Sequence, residues 1–153
     1  MLWYRVFLYI CYMDKANPSK FIRKSILTAI NGMVVNGLTI PCYDTRVRPS
    51  ENPNFYVLMT TQSKRVLKQN KCEYFWEADI LLDIVTIYNG SGNTGSRLLT
   101  DDIENNIRSL TQDLVIEGFT TIIQAEDFPN NLDNINDNQI VYRNFIRYTL
   151  TLN

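Results

Sequence analysis

The chain of 153 residues has the length of one domain, enough to bury a core without staples. Its formal net charge of −1 supplies no global basic field for nucleic acid, and its lack of histidine removes the commonest general base and metal ligand. Cys11, Cys42 and Cys72 are odd in number, widely spaced and without a CxxC pair, so they read as reduced, buried thiols rather than a disulfide framework.

Leu2 to Tyr12 is apolar and aromatic, broken only by Arg5. It is shorter than the roughly 20 residues a membrane span needs, and no small-residue cleavage site follows it. Two readings stand. Met13 is the natural start and residues 1–12 are a gene-calling artefact, or residues 1–16 form a hydrophobic arm that docks on a neighbour through Trp3 and Phe7. Residues 17–153 then form a single domain.

Asn17-Pro18 opens a helix, because Asn caps and Pro fits a first helical position. Phe21, Ile22, Ile26, Ala29 and Ile30 recur at helical spacing, and Asn31-Gly32 ends the helix. Met33 to Val35 and Leu38 to Tyr43 flank Asn36-Gly37, the preferred pair for a type I′ hairpin turn. Arg46 to Asn54, with Pro49 and Pro53, is a loop; Phe55 to Gln62 is a strand. Ser63 to Lys71 carries Lys64, Arg65, Lys68 and Lys71 and is expected to be an exposed hairpin tip. A solvated loop explains it; so does contact with DNA or an acidic neighbour.

Trp76 to Tyr88 alternates with a period of two. Trp76, Ala78, Ile80, Leu82, Ile84 and Tyr88 share one face; Glu77, Asp79 and Asp83 share the other. Asn89 to Ser96 is Gly-rich but lacks the GxxxxGK[ST] spacing and its lysine, so it reads as a turn. A helix from about Ser96 to Leu114 follows, with Leu99, Ile103, Ile107 and Leu110 as its stripe. Asp101 and Asp102 are expected at its cap, near Glu104. Phe119 to Phe128 is a strand ending in Glu126-Asp127. Pro129 to Asn138 lacks the Gly and Glu of a calcium loop and reads as a polar connection. Gln139 to Leu152 alternates again: Ile140, Tyr142, Ile146, Tyr148, Leu150 and Leu152 on one side, Arg143, Arg147, Thr149 and Thr151 on the other.

These elements give an α+β fold: a mostly antiparallel twisted sheet of five to six strands, with two helices on its apolar face. The outer faces of the two long strands carry opposite charge, which suits pairing across strands or with a neighbouring copy. Glu77, Asp79, Arg143 and Arg147 are therefore candidate inter-subunit contacts. No Ser, Cys or Lys nucleophile comes with an evident base, and no catalytic residue, cofactor site or metal site is expected. A non-enzymatic alternative is a nucleic-acid-binding module in which Lys64, Arg65, Lys68 and Lys71 flank a stacking platform of Tyr74, Phe75 and Trp76.

The segments FIRKSILTAING, MVVNGLTIPCYD, NPNFYVLMT, WEADILLDIVTIY, SRLLTDDIENNIRSL and YRNFIRYTLTL, in this order, resemble the tail-completion and tail-terminator-like neck proteins of tailed bacteriophages. The resemblance spans roughly residues 17 to 152 and leaves out residues 1–12. The Asn- and Ile-rich composition suits an AT-rich genome such as that of a crAss-like phage. The resemblance implies a virion protein forming a homo-oligomeric ring of six or twelve copies in the neck. Portal-side and tail-side proteins would be its partners. Genomic DNA would pass through without sequence-specific binding, and no membrane would be involved.

Overall fold

A computed structural model describes residues 17–69, 74–90, 95–127, 132–136 and 139–153. Trp3, Phe7, Cys11, Lys71 and Cys72 lie outside these residues.

Helix α1 spans Ser19–Ile30. It starts one residue later than the Asn-Pro signal implies: Pro18 holds the cap position, and Asn17 Oδ1 accepts from the Ser19 amide at 3.1 Å. Its buried residues are Ile22, Ile26 and Ile30, one side chain per turn. Strands β1 (Met33–Val35) and β2 (Leu38–Ile40) form an antiparallel hairpin. Asn36 and Gly37 at its turn have φ of 52° and 80°, as a type I′ turn requires.

The hairpin does not continue to Tyr43 as the sequence implies. After Pro41, which has no amide hydrogen to give a ladder, the chain forms a separate strand β3 (Cys42–Asp44). It pairs in parallel with β4 (Phe55–Gln69), so the main sheet is mixed rather than wholly antiparallel. β5 (Tyr74–Tyr88) pairs antiparallel with β4 and with β8 (Gln139–Leu152). The far flank of β8 receives β6 (Thr121–Asp127) along Ile146–Leu152 and β7 (Leu132–Asn136) along Gln139–Arg143. The strand order is β3-β4-β5-β8-β6, with β7 beside β8. Part of the stretch read as a connection, Pro129 to Asn138, is therefore a strand.

Helix α2 spans Arg97–Thr111. Ser96 is its cap and accepts from the Leu99 amide at 3.1 Å. Asp101 and Asp102 do not cap: they sit a full turn inside the helix and accept from Asn144 and Asn36 instead. Leu99, Ile103 and Ile107 are buried, whereas Leu110 is 43% exposed.

The core gathers Ile22, Ile26 and Ile30 of α1, Ile103 and Ile107 of α2, and the even-numbered residues from Ala78 to Ile84 of β5 and from Ile146 to Leu152 of β8. Cys42 lies in it, and burial, aided by Asp44, pushes its thiol up to about 12, which leaves little thiolate at neutral pH. Polar links fix α2 over β5 and β8. Thr86 and Thr100 hydroxyls meet at 2.8 Å, and Thr111 and Tyr148 hydroxyls at 2.7 Å. The buried Asn144 amide donates to Asp101 and Glu104 at 2.9 Å each and accepts from Arg97 at 2.8 Å. Buried polar groups tolerate only a register that satisfies them, so this network specifies where the helix sits.

Candidate functional site: the charged sheet face and the end of the β4–β5 hairpin

Residue alternation puts the odd-numbered residues of β5 and β8 on the face away from α2. The register places Glu77 opposite Thr151, Asp79 opposite Thr149 and Asp83 opposite Phe145. The opposite charges foreseen on the two strands meet diagonally, within the chain. Arg147 donates to Asp79 at 3.0 Å, and Thr149 Oγ1 donates to the other oxygen of Asp79 at 2.8 Å. Arg143 grips Asp83 with two donors, Nε at 3.1 Å and Nη2. Its guanidinium also lies 5.3 Å from the Phe145 ring centre. Arg65 of β4 pairs with Glu77 directly across the ladder.

These pairs are not equivalent. Asp83 is fully buried although it faces away from the core, while the Arg143 side chain is 37% exposed. Bidentate pairing is the geometry that holds a carboxylate out of water. The first effect on Arg143 is its hydrogen bond to Asp83, which raises its basicity. Asp79 is nearer the surface. Burial works against its charge, but the Thr149 hydroxyl and Arg147 outweigh it and hold the carboxyl below its ordinary value. Its hydrogen bond to Asp79 raises Arg147 in turn.

The second part of the site is the far end of the β4–β5 ribbon. β4 continues through Gln69, so Lys64, Arg65 and Lys68 stand on a strand and not on a hairpin tip. Residues 63–69 are exposed on both faces, so no buried face imposes an apolar alternation on them. An irregular register between Met59 and Gln62, and another between Val66 and Lys68, bend this half of the strand. Lys64 Nζ lies 5.5 Å from the Trp76 ring centre, and Lys68 Nζ lies 5.8 Å from that of Phe75. Tyr74 and Trp76 rings are 5.0 Å apart. Of the basic and aromatic residues singled out in the sequence, Lys64 is thus set beside Trp76 and Lys68 beside Phe75, on opposite faces of the ribbon by alternation, whereas Arg65 pairs with Glu77. Lys64 also bonds Asn17 Oδ1, tying the ribbon to the start of α1.

Sequence reasoning placed Glu77, Asp79, Arg143 and Arg147 on this face and left out the part played by Asp83 and Phe145. The available signal was the alternation that set Asp83 beside Asp79; nothing local marks it as buried. Among the described residues, no group of three or more His, Cys, Asp or Glu side chains is arranged to hold a metal ion. No helix among them is long and apolar enough to cross a membrane.

No family model matches the chain, and no curated protein matches it. Among solved structures, it is similar to a chain in a structure described as the virion of a native gene transfer agent particle. The two are 11% identical, the match covers 94% of this chain and 90% of that one, and the TM-score is 0.40.

Proposed function

We propose that the chain is a structural virion protein forming a homo-oligomeric ring of six or twelve copies in the neck of a tailed phage. The ring joins portal-side and tail-side proteins and surrounds the DNA channel, and no step of catalysis is assigned to it. The carrying observation is a sheet of long strands whose outward charges are neutralised by their own neighbours. That face leaves few free charges to hold DNA that has to slide past. The resemblance of its segment order to tail-completion proteins supports the same reading. The test is the mass of the purified full chain by light scattering and native mass spectrometry. A closed oligomer of defined copy number is expected; a monomer at every soluble concentration overturns the reading.

A second reading has its own support in Lys64 over Trp76 and Lys68 over Phe75: a module that stacks single-stranded nucleic acid. It requires affinity for an oligonucleotide that falls steeply with salt. Fluorescence anisotropy across a salt series separates the two readings, and the ring reading expects only weak, sequence-independent binding.

A further inference from the structure

The two ends of the main sheet match each other. β3 covers β4 only along Val57–Met59, and among the described residues no strand pairs with that flank from Thr60 to Gln69. At the opposite end, β6 pairs with β8 on one flank, and no described strand lies on its other flank. Following the register across the sheet, Ile122 lines up with Thr151, Glu77 and Arg65. Gln124 lines up with Thr149, Asp79 and Ser63. The two open flanks therefore lie at the same height. They also run in opposite directions, because three antiparallel steps separate β4 from β6.

The two flanks carry opposite charge: at equal height Glu126 falls level with Thr60 and Thr61 and Asp127 with Met59, and a stagger along β4 brings them toward Lys64. The open half of β4 contains Lys64, Arg65 and Lys68 and no acid, with Arg65 already paired to Glu77 of its own chain. β6 reads TIIQAED, with two acids and no base, and its register with β8 is unbroken from end to end. This flank has no proline, lysine or bulge, its charges are confined to Glu126-Asp127 at one end, and Ile122 is 63% exposed.

We propose that the occupant of both flanks is a second copy of this chain, added head to tail. β6 of one copy pairs antiparallel with the Thr60–Gln69 half of β4 of the next. The inference rests on the ring reading and specifies how its subunits join. Equal heights allow addition with little rise, which is what a closed ring needs and an open filament lacks. The spare length of the β4 flank leaves room for the stagger that closing a sheet requires.

Paired cysteines test the contact. In a Cys11→Ser, Cys72→Ser background, which leaves only the buried Cys42, Gln124→Cys is combined with Thr61→Cys, Ser63→Cys or Arg65→Cys, one pair at a time. Within one copy the two positions are three strand spacings apart, about 14 Å, beyond the reach of a disulfide. Mild oxidation of the assembled full-length protein is expected to give a ladder of covalent dimers, trimers and higher species from at least one pair. Gln124→Cys alone is expected to give none. A strong dimer from Gln124→Cys alone would mean that two β6 strands meet across a two-fold axis, and would overturn the head-to-tail contact. A ring by mass with no ladder from any pair would overturn the contact and leave the ring reading standing. A monomer by mass would end both.

Discussion

Arg143 and Asp83 stand in different surroundings, and the difference decides what each substitution does. Removing the arginine strands a fully buried carboxylate. Removing the aspartate leaves a guanidinium whose long stem can turn its head into water. Arg143→Met is therefore expected to cost about 3–5 kcal/mol in urea unfolding. Asp83→Leu should cost clearly less, and the double variant should regain part of the Arg143→Met loss. Equal losses from both single variants would show that the pair is not buried asymmetrically. The neighbouring Asp79 gives the pair's pH counterpart. Its folded value is depressed, so it contributes stability above its unfolded value of about 3.9 and loses it as pH falls through the lower folded value. Wild type should thus weaken more than Asp79→Asn between pH 5 and pH 2 (about the span of such a transition) when both are unfolded by urea.

The elements differ in how plainly the sequence announces them, and the cause is burial. β8 appears with the boundaries expected from alternation alone, because one of its faces meets the core along Asn144, Ile146, Tyr148, Leu150 and Leu152. β5 extends only two residues beyond its expected start. The second half of β4 gave no strand signal because neither of its faces is buried there. β7 reads LDNIN, a polar composition typical of turns, and exists as a strand because β8 offers it a flank. The parallel partnership of β3 is non-local and has no sequence period. The ion pairs of the site were legible as two rows of opposite sign; which arginine takes which aspartate depends on diagonal geometry across the register. At the entry to α2, Gly95 lies against the backbone of β5, where an added Cβ would meet the Ile87 carbonyl oxygen at 2.0 Å. The glycine first read as part of a loose turn is a close-approach position. Gly95→Ala is expected to destabilise by about 1–3 kcal/mol, as overpacking does. Ser96→Ala, which removes the cap, should cost about 1 kcal/mol. Thermal unfolding of the two variants ranks them, and a neutral Gly95→Ala would refute the close approach.

At the scale of the whole molecule, the sheet is most stable at its centre. β5 and β8 each pair on both flanks over most of their length, whereas among the described residues β1 and β2 pair only with each other. Amide hydrogen exchange should therefore be slowest in Ile80–Ile84 and Asn144–Leu150, with similar protection in both, and faster by orders of magnitude in Met33–Ile40. Comparable protection across both regions would mean that the small hairpin unfolds only with the whole.

The centre of the sheet is also its latest piece. β8 follows every other strand in the chain, yet it lies between β5 and the pair β6 and β7. As the polypeptide leaves the ribosome, β4 and β5 can zip into a ribbon at once, but β5 then waits with its second flank bare. β6 and β7 wait with no partner in the main sheet at all. The domain thus passes through a stage in synthesis when one flank of a long, largely apolar strand is unguarded, and the sheet is completed in a single late insertion. A chaperone that holds nascent chains has its moment between the emergence of β5 and that of β8, and translation pauses placed in that interval would raise the share of chains lost to aggregation.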